Sequence, residues 1–497
     1  MRVLFILINN IIVQGGKFVK IKEIDISEVL KYFYEISKIP RMSGKEEKIA
    51  DYVEKFAKER NLKCIRDIHN NIIIFKDSTK WNNSEESIML QCHLDMVCEK
   101  EENSNHDFEK EGLEVYIEGD YIKAKNTTLG ADNGIGIAII LAILNSNKIN
   151  HPKIEAIFTV EEETTMEGAK QIDVSMLESK KMICLDNMNE EELWIGCAGA
   201  KIFEYEIEGN QHKIREDNIL IKIGINGFRG GHSGKDISKN RGNPIKEMGN
   251  LLDKLNTKYN IFLKNIYGGR KVNVIPRECY SEVYIRYDDF DRISQEIIEY
   301  NKTIKRKIIN DNENIKVSVK KIEQNDNYSF NSNTTKKVIN ILKEIKNGVY
   351  YEDKYSNPLV SLNIGKIENT KNEIKISFSI RTNRSEIEQK LEDDLDNIVI
   401  KYGIQERKSE LSGYEHKERS IFIDKCKAIY KGYFEVNPKV IDMHICLEAG
   451  FFGKKIPELD FIAIAPNIYD AHSPKERCSI SSLKKIYNYI ILILNDI

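Results

Sequence analysis

Residues 87–97 read Ser-Ile-Met-Leu-Gln-Cys-His-Leu-Asp-Met-Val. The apolar run Ser87-Ile88-Met89-Leu90 predicts a buried strand, with His93 and Asp95 just past its end. Open α/β sheets collect reactive groups at the carboxyl ends of their strands, and this stretch has that form. An imidazole that binds a metal needs a partner on its second nitrogen to fix the tautomer, and a carboxylate two residues on can supply it. Alone, His-x-Asp describes an ordinary histidine. The carboxylates downstream decide its reading.

The alternation of helical and strand patterns continues from about Ile24 to Gly199. Residues 26–36 and 46–60 predict amphipathic helices, and residues 154–160 and 182–185 predict strands. After Gly199 the texture changes to long polar alternating segments at 201–208, 219–225, 279–287 and 315–322, with helical stretches at 244–255 and 289–309. A similar pattern recurs over residues 335–400, suggesting an insert of two related halves. Apolar strands return at 439–441 and 461–464, and residues 486–494 predict a core-packed terminal helix. The expected organisation is therefore an α/β catalytic domain (residues 19–199 and 405–497) interrupted by an α+β domain with an antiparallel sheet (200–404).

At 497 residues the chain is too long for one ordinary core. It is 41% hydrophobic and 31% charged, a globular balance. Its 75 basic and 78 acidic residues nearly cancel, which gives no reason to expect a nucleic-acid or membrane partner. No stretch is long and apolar enough to span a bilayer. Nine scattered cysteines without a Cys-x-x-Cys pair suggest reduced thiols and a cytoplasmic location. At the N-terminus, Gln14-Gly15-Gly16-Lys17 can be encoded by a ribosome-binding sequence just before Val19, a codon able to act as a start. Residues 1–18 are accordingly expected to be an extension ahead of the true start.

Four further segments carry acids or histidines at element ends. Asp132 precedes the apolar helical stretch 135–144, where an N-cap is the plain explanation. Glu161-Glu162-Glu163 leaves the strand ending at Val160, and adjacent carboxylates there can divide metal binding and proton relay between them. Asp186 ends another strand, and His472 lies in a loop after 461–464. Together they supply two histidines and three carboxylates, the ligand set of a two-metal hydrolase. Gly-x-Ser-x-Gly and the phosphate-binding Gly-x-x-x-x-Gly-Lys-Ser/Thr loop are both absent.

The ordered motifs are His-Leu-Asp-Met-Val (93–97), Thr-Leu-Gly-Ala-Asp-Asn-Gly-Ile-Gly (128–136), Glu-Glu-Glu-Thr-Thr-Met-Glu-Gly-Ala (161–169), Leu-Asp (185–186), Gly-Gly-His-Ser-Gly-Lys-Asp-Ile (230–237), Asn-Val-Ile-Pro-Arg-Glu (273–278), Ser-Leu-Asn-Ile-Gly (361–365) and Ala-His-Ser-Pro (471–474). From about Ser37 to the C-terminus the sequence resembles the aminoacyl-histidine dipeptidases (peptidase D), within the co-catalytic zinc peptidases that include the carnosinases. The resemblance implies an α/β/α zinc-peptidase catalytic domain with a lid and dimerisation domain inserted. It implies that His93 and Asp186 bind one metal, Glu163 and His472 the other, with Asp132 bridging. Asp95 would orient His93, and Glu162 would be the general base. In the lid, His232 matches a histidine that reaches the substrate oxyanion, often across a dimer, while Asn273 and Arg381 match residues that bind the substrate backbone and carboxylate. Glu448 matches a family segment without a firm role.

The implied cofactors are two divalent ions, zinc first, with manganese or cobalt able to serve. The implied partners are a dipeptide and a second copy of the chain through the lid. The sequence departs from the family at Thr165 and Ala465, where glycine is usual, at Ser238 and Asn240, and after Ser412-Gly413-Tyr414, where Pro-Gly-Trp is usual. Two other readings are an N-acyl amino acid amidohydrolase and a non-catalytic metal-binding scaffold. The long insert argues against the first, and a complete ligand set with Glu162 argues against the second.

Overall fold

The computed structural model describes residues 11–14, 17–20, 25–79, 86–308, 314–323, 326–353, 356–382, 384–415 and 419–497. The chain forms two compact units. The first comprises Met1–Cys197, Tyr414–Met443 and Leu447–Ile497, and the second Ala198–Gly413 and His444–Cys446.

The first unit is built on an eight-stranded sheet. Its order is Lys439–Met443, Glu192–Cys197, Asp460–Ala463, Lys181–Cys184, Ser87–His93, Lys153–Thr159, Ile72–Lys76 and Lys63–Arg66. The four consecutive strands from Asp460–Ala463 to Lys153–Thr159 run parallel. Ser87–His93 is buried along its whole length, as an interior parallel strand must be, which explains its unbroken apolar character. Helix Ala131–Asn145 is apolar all round and buried from Ala131 to Leu144. Ser27–Ser37 and Glu47–Glu59 are amphipathic instead, burying Val29, Phe33 and Ile36, and Ile49, Val53 and Phe56. Terminal helix Ile480–Asp496 starts where the Ser479 side chain accepts from the Ser482 N–H, and it packs Leu483, Ile486 and Ile490 into the same core. Burying each such side chain contributes about 1.5–3 kcal/mol.

The second unit carries a nine-stranded sheet with antiparallel pairing. One group of four strands (Lys316–Lys321, Asn218–Asn226, Cys279–Arg286, Phe262–Gly268) has helices Pro244–Lys258 and Phe290–Lys307. The other (Pro358–Asn369, Glu373–Thr382, Gly199–Glu208, Gln405–Leu411) has helices Ser332–Glu344 and Ser385–Tyr402. The groups join where Gly268 pairs with Ile367.

Two boundaries differ from the sequence reading. Gln405–Leu411, assigned by sequence to the catalytic domain, pairs along Gly199–Glu208 in the second unit. It is an edge strand of mostly exposed polar residues, so no change in composition marks it. His444–Cys446 also returns to the second unit, too short a visit to leave a pattern. In the N-terminal stretch Ile11–Gln14 pairs antiparallel with Lys17–Lys20, and residues 1–10, 15 and 16 lie outside the described residues. Among the described residues no helix is long and apolar enough to cross a membrane, and the cysteines form no disulfide.

Candidate active site

The strands of the first unit deliver the candidate residues from several points of the chain to one place. His93 ends its strand in register with Thr159, and the acidic turn 161–163 follows directly, with Glu161 at φ +56°. Asp186 comes just after Lys181–Cys184. Asp132 stands in the first turn of Ala131–Asn145 with non-helical angles, and its peptide bond to Asn133 is cis. His472 comes from the loop before Arg477–Ser479, at φ +63°.

The two carboxylate oxygens of Asp132 each face a histidine. Oδ1 lies 3.2 Å from His93 Nε2, and Oδ2 lies 3.2 Å from His472 Nε2. His472 Nε2 is also 3.0 Å from Glu163 Oε1. Donor atoms of His93, Asp132 and Asp186 lie within 4.8 Å of one another, as do those of Asp132, Glu163 and His472, and those of His93, Glu162 and Glu163. Behind His93, Asp95 is fully buried. Its Oδ1 accepts from Glu162 N–H (3.1 Å), and its Oδ2 from Ser43 Oγ–H (2.7 Å) and Glu163 N–H (3.1 Å). Asp95 Oδ1 is also 3.2 Å from His93 Nδ1, poorly aligned for a hydrogen bond.

Five carboxyl groups and two imidazoles share this volume, and their proton affinities follow from that imbalance. Burial pushes Glu162 well above the usual carboxylate range, with the charge of Asp186 adding to it. Glu163 is raised by burial and by Asp132. Burial opposes protonation of His93 and His472, yet Asp132, Asp95 and Glu163 overcome it. His93 is driven well above its ordinary value and His472 up to about 10. Burial works against ionisation of Asp132 too, but the hydrogen bonds from His472 and His93 hold its pKa down. The site therefore demands positive charge, and the buried Glu163 Oε1 meets His472 Nε2 at 3.0 Å without an aligned hydrogen bond. Imidazole nitrogens and carboxylate oxygens fit zinc, manganese or cobalt. Thr165 and Ala465, which stand where the resemblance has glycine, are not among the left-handed residues, so the backbone takes them without that strain.

The second unit brings His232, Asn273 and Arg381 around one serine. Ser233 N–H donates to Asn273 O (3.0 Å), and Ser233 Oγ accepts from Arg381 Nε (3.1 Å). Arg381 is 5% exposed, and its Nη1 donates to Cys446 Sγ at 3.3 Å. His232 Nδ1 accepts from the N–H groups of Gly234 (3.1 Å) and Lys235 (3.2 Å). Two donors on Nδ1 place the ring proton on Nε2, which leaves Nε2–H as the donor.

Sequence reasoning gave Glu448 no role and passed over Ser43. Glu448 is 1% exposed. Its Oε2 accepts from Gln91 Nε2 (2.6 Å) and Thr159 Oγ (2.5 Å), beneath the strands that end in His93 and the acidic turn. Burial pushes its carboxyl up to about 8. The polar side chains Gln91 and Thr159 inside otherwise apolar strands were its signal.

Histidines and carboxylates gathered at the ends of a parallel sheet, His93 buried and His472 exposed, fit a metal-dependent hydrolase, and the comparisons narrow the class. Residues 222–312 match the peptidase dimerisation domain of the M20 family. The cytosol non-specific dipeptidase of Escherichia coli K12 is 30% identical over 94% of this chain and 96% of its own. The crystal structure of aminoacylhistidine dipeptidase from Vibrio alginolyticus superposes with a TM-score of 0.85 at 29% identity, over 95% of this chain and 96% of that one. A tripeptidase from Staphylococcus aureus shares the fold at 13% identity, with a TM-score of 0.58 over 96% of this chain and 99% of that one. The chain belongs to the family of the cytosol non-specific dipeptidase, and it is a hydrolase of the metallo-exopeptidase class.

Proposed function

We propose that this chain is a cytosolic dipeptidase that works with two divalent ions, zinc first, and acts as a homodimer joined through its second unit. Its substrates are unblocked dipeptides, Xaa-His and β-alanyl-His among them. The observation that carries the reading is Asp132, whose two oxygens each face one histidine, a bridging arrangement. His93 and Asp186 would hold one ion, Glu163 and His472 the other, with Asp132 between them. When bound, the two ions polarise the scissile carbonyl and acidify a water.

Glu162 takes a proton from the attacking water and passes it to the departing amine nitrogen as the C–N bond breaks. A carboxyl with raised proton affinity suits both halves of that relay. Asp95 fixes the orientation of His93 and, through the N–H groups of Glu162 and Glu163, the turn that presents the base. His232 Nε2–H donates to the developing oxyanion, Asn273 binds the substrate backbone, and the Arg381 guanidinium pairs with the free carboxylate.

The test is a panel of dipeptides and N-acyl amino acids assayed with Zn, Mn and Co. Cleavage of dipeptides is expected. Cleavage of acyl amino acids alone would replace this reading with an amidohydrolase, and absence of turnover with metal bound would replace it with a scaffold.

A further inference from the structure

The carboxylate of Glu476 is buried, with the residue 3% exposed, and four consecutive backbone N–H groups converge on it. Its Oε2 accepts from Leu129 (2.8 Å) and Gly130 (2.9 Å), and its Oε1 from Ala131 (2.8 Å) and Asp132 (3.4 Å). These are donors at the start of helix Ala131–Asn145 that have no partner within the helix. They are usually capped by a neighbour in sequence, whereas this acceptor comes from some 345 residues further along the chain. Glu476 closes the short turn that follows His472, since its own N–H donates to Ser473 O (3.0 Å). A ring results: the Asp132 side chain faces His472, the turn runs on to Glu476, and the Glu476 carboxylate returns to the Asp132 backbone.

Arg41, 1% exposed, grips the same loop from the other side. Its Nη2 donates to Gly130 O (2.5 Å), while Nη1 donates to Asp95 O (2.9 Å) and Leu94 O (3.2 Å). Gly130 is left-handed, at φ +62°, and a Cβ there would stand 2.5 Å from Arg41 Nη2.

We propose that Glu476 is a positioning residue that fixes the spacing between Asp132 and His472 by holding the Asp132 loop on the His472 turn, with Arg41 tying Asp95 to the same loop. This rests on the reading that Asp132 and His472 share an ion. Capping alone could be served locally by Ser, Asp or Asn. A remote buried carboxylate adds what a local cap cannot, a fixed distance between two parts of the site.

Glu476→Gln keeps the shape but turns an NH₂ toward two of the four N–H donors. In the full-length protein three quantities are compared with wild type: amide exchange of residues 129–132 without metal, affinity for two added Zn ions, and kcat with KM. Expected are faster exchange at those amides, a loss of about 10- to 100-fold in affinity for one of the two ions, and a fall in kcat with KM little changed. Faster exchange with both affinities and kcat at wild-type values overturns the proposal, since Glu476 would then only cap the helix. Unchanged exchange overturns it as well. If Glu476→Gln does not fold, Glu476→Asp keeps the charge, shortens the reach and must show the same loss, and wild-type affinity there overturns the proposal. Wild-type protein that binds no Zn refutes the two-ion reading itself, while the exchange measurement still decides whether the clamp exists.

Discussion

Replacing Asp95 with Asn separates orienting from ligating. The buried carboxylate makes four contacts: Glu162 N–H and His93 Nδ1 at Oδ1, Ser43 Oγ–H and Glu163 N–H at Oδ2. The asparagine amide fits the same space with one oxygen and one NH₂. With NH₂ in the Oδ1 position it would face the Glu162 N–H and the imidazole proton, two donors that cannot turn away. In the Oδ2 position it meets the Glu163 N–H and the Ser43 hydroxyl, which rotates to accept. The second orientation wins, at the cost of the Glu163 bond and of the negative charge beside His93. A hydrogen bond to a charged group contributes about 1.5–3 kcal/mol, which corresponds to about 10- to 100-fold in metal affinity or kcat, the usual range for such orienting partners. Competition with a chromogenic chelator measures the first, and dipeptide turnover the second. Both ions should remain bound at saturating metal. The argument fails if Asp95→Asn leaves affinity and kcat unchanged, or empties the site as His93→Ala should.

Glu162→Gln should lower kcat by about 10²- to 10⁴-fold with both ions retained by elemental analysis; a variant that loses metal would make Glu162 a ligand instead. His472→Ala should leave one tightly bound ion per chain, and two would remove His472 from the ligand set. Gly130→Ala forces a side chain into a left-handed position against Arg41 Nη2 and Met96 Sδ. It should cost about 1–3 kcal/mol in urea unfolding of the metal-free chain, whereas no change would mean that the loop relaxes freely. Metal added at about 100 times its dissociation constant should stabilise the stripped protein by about 2.7 kcal/mol per ion, read as a rise in Tm that a chelator reverses.

The α/β core was legible because interior parallel strands such as Ser87–His93 are apolar on both faces, and because helix Ala131–Asn145 carries isoleucine at nearly every turn position. Candidate site residues were legible where they end such strands or follow them closely, as His93, Glu162, Glu163 and Asp186 do. Asp132 and His472 were singled out at a helix start and in a loop, but the motif resemblance gave them their roles, since neither place has a periodicity of its own. What escaped notice depends on long-range pairing. Glu476, Arg41 and Ser43 are unremarkable in sequence, and each of them, like Glu448 with its unassigned role, acquires meaning only from a partner far along the chain. The edge strand Gln405–Leu411 escaped for the opposite reason, being too polar to announce a sheet.

The place of Asp460–Ala463 in its sheet has a consequence for biosynthesis. That strand lies between Glu192–Cys197 and Lys181–Cys184. Both of those strands and the whole 198–413 segment are synthesised before the strand that pairs between them, and domains generally fold as units in the order they are made. On that rule the inserted unit would be complete before the sheet of the first unit is closed. His472 and Glu476 emerge later still, so the last candidate ligand and its clamp arrive together. A chain released before residue 472 would lack one member of the candidate ligand set.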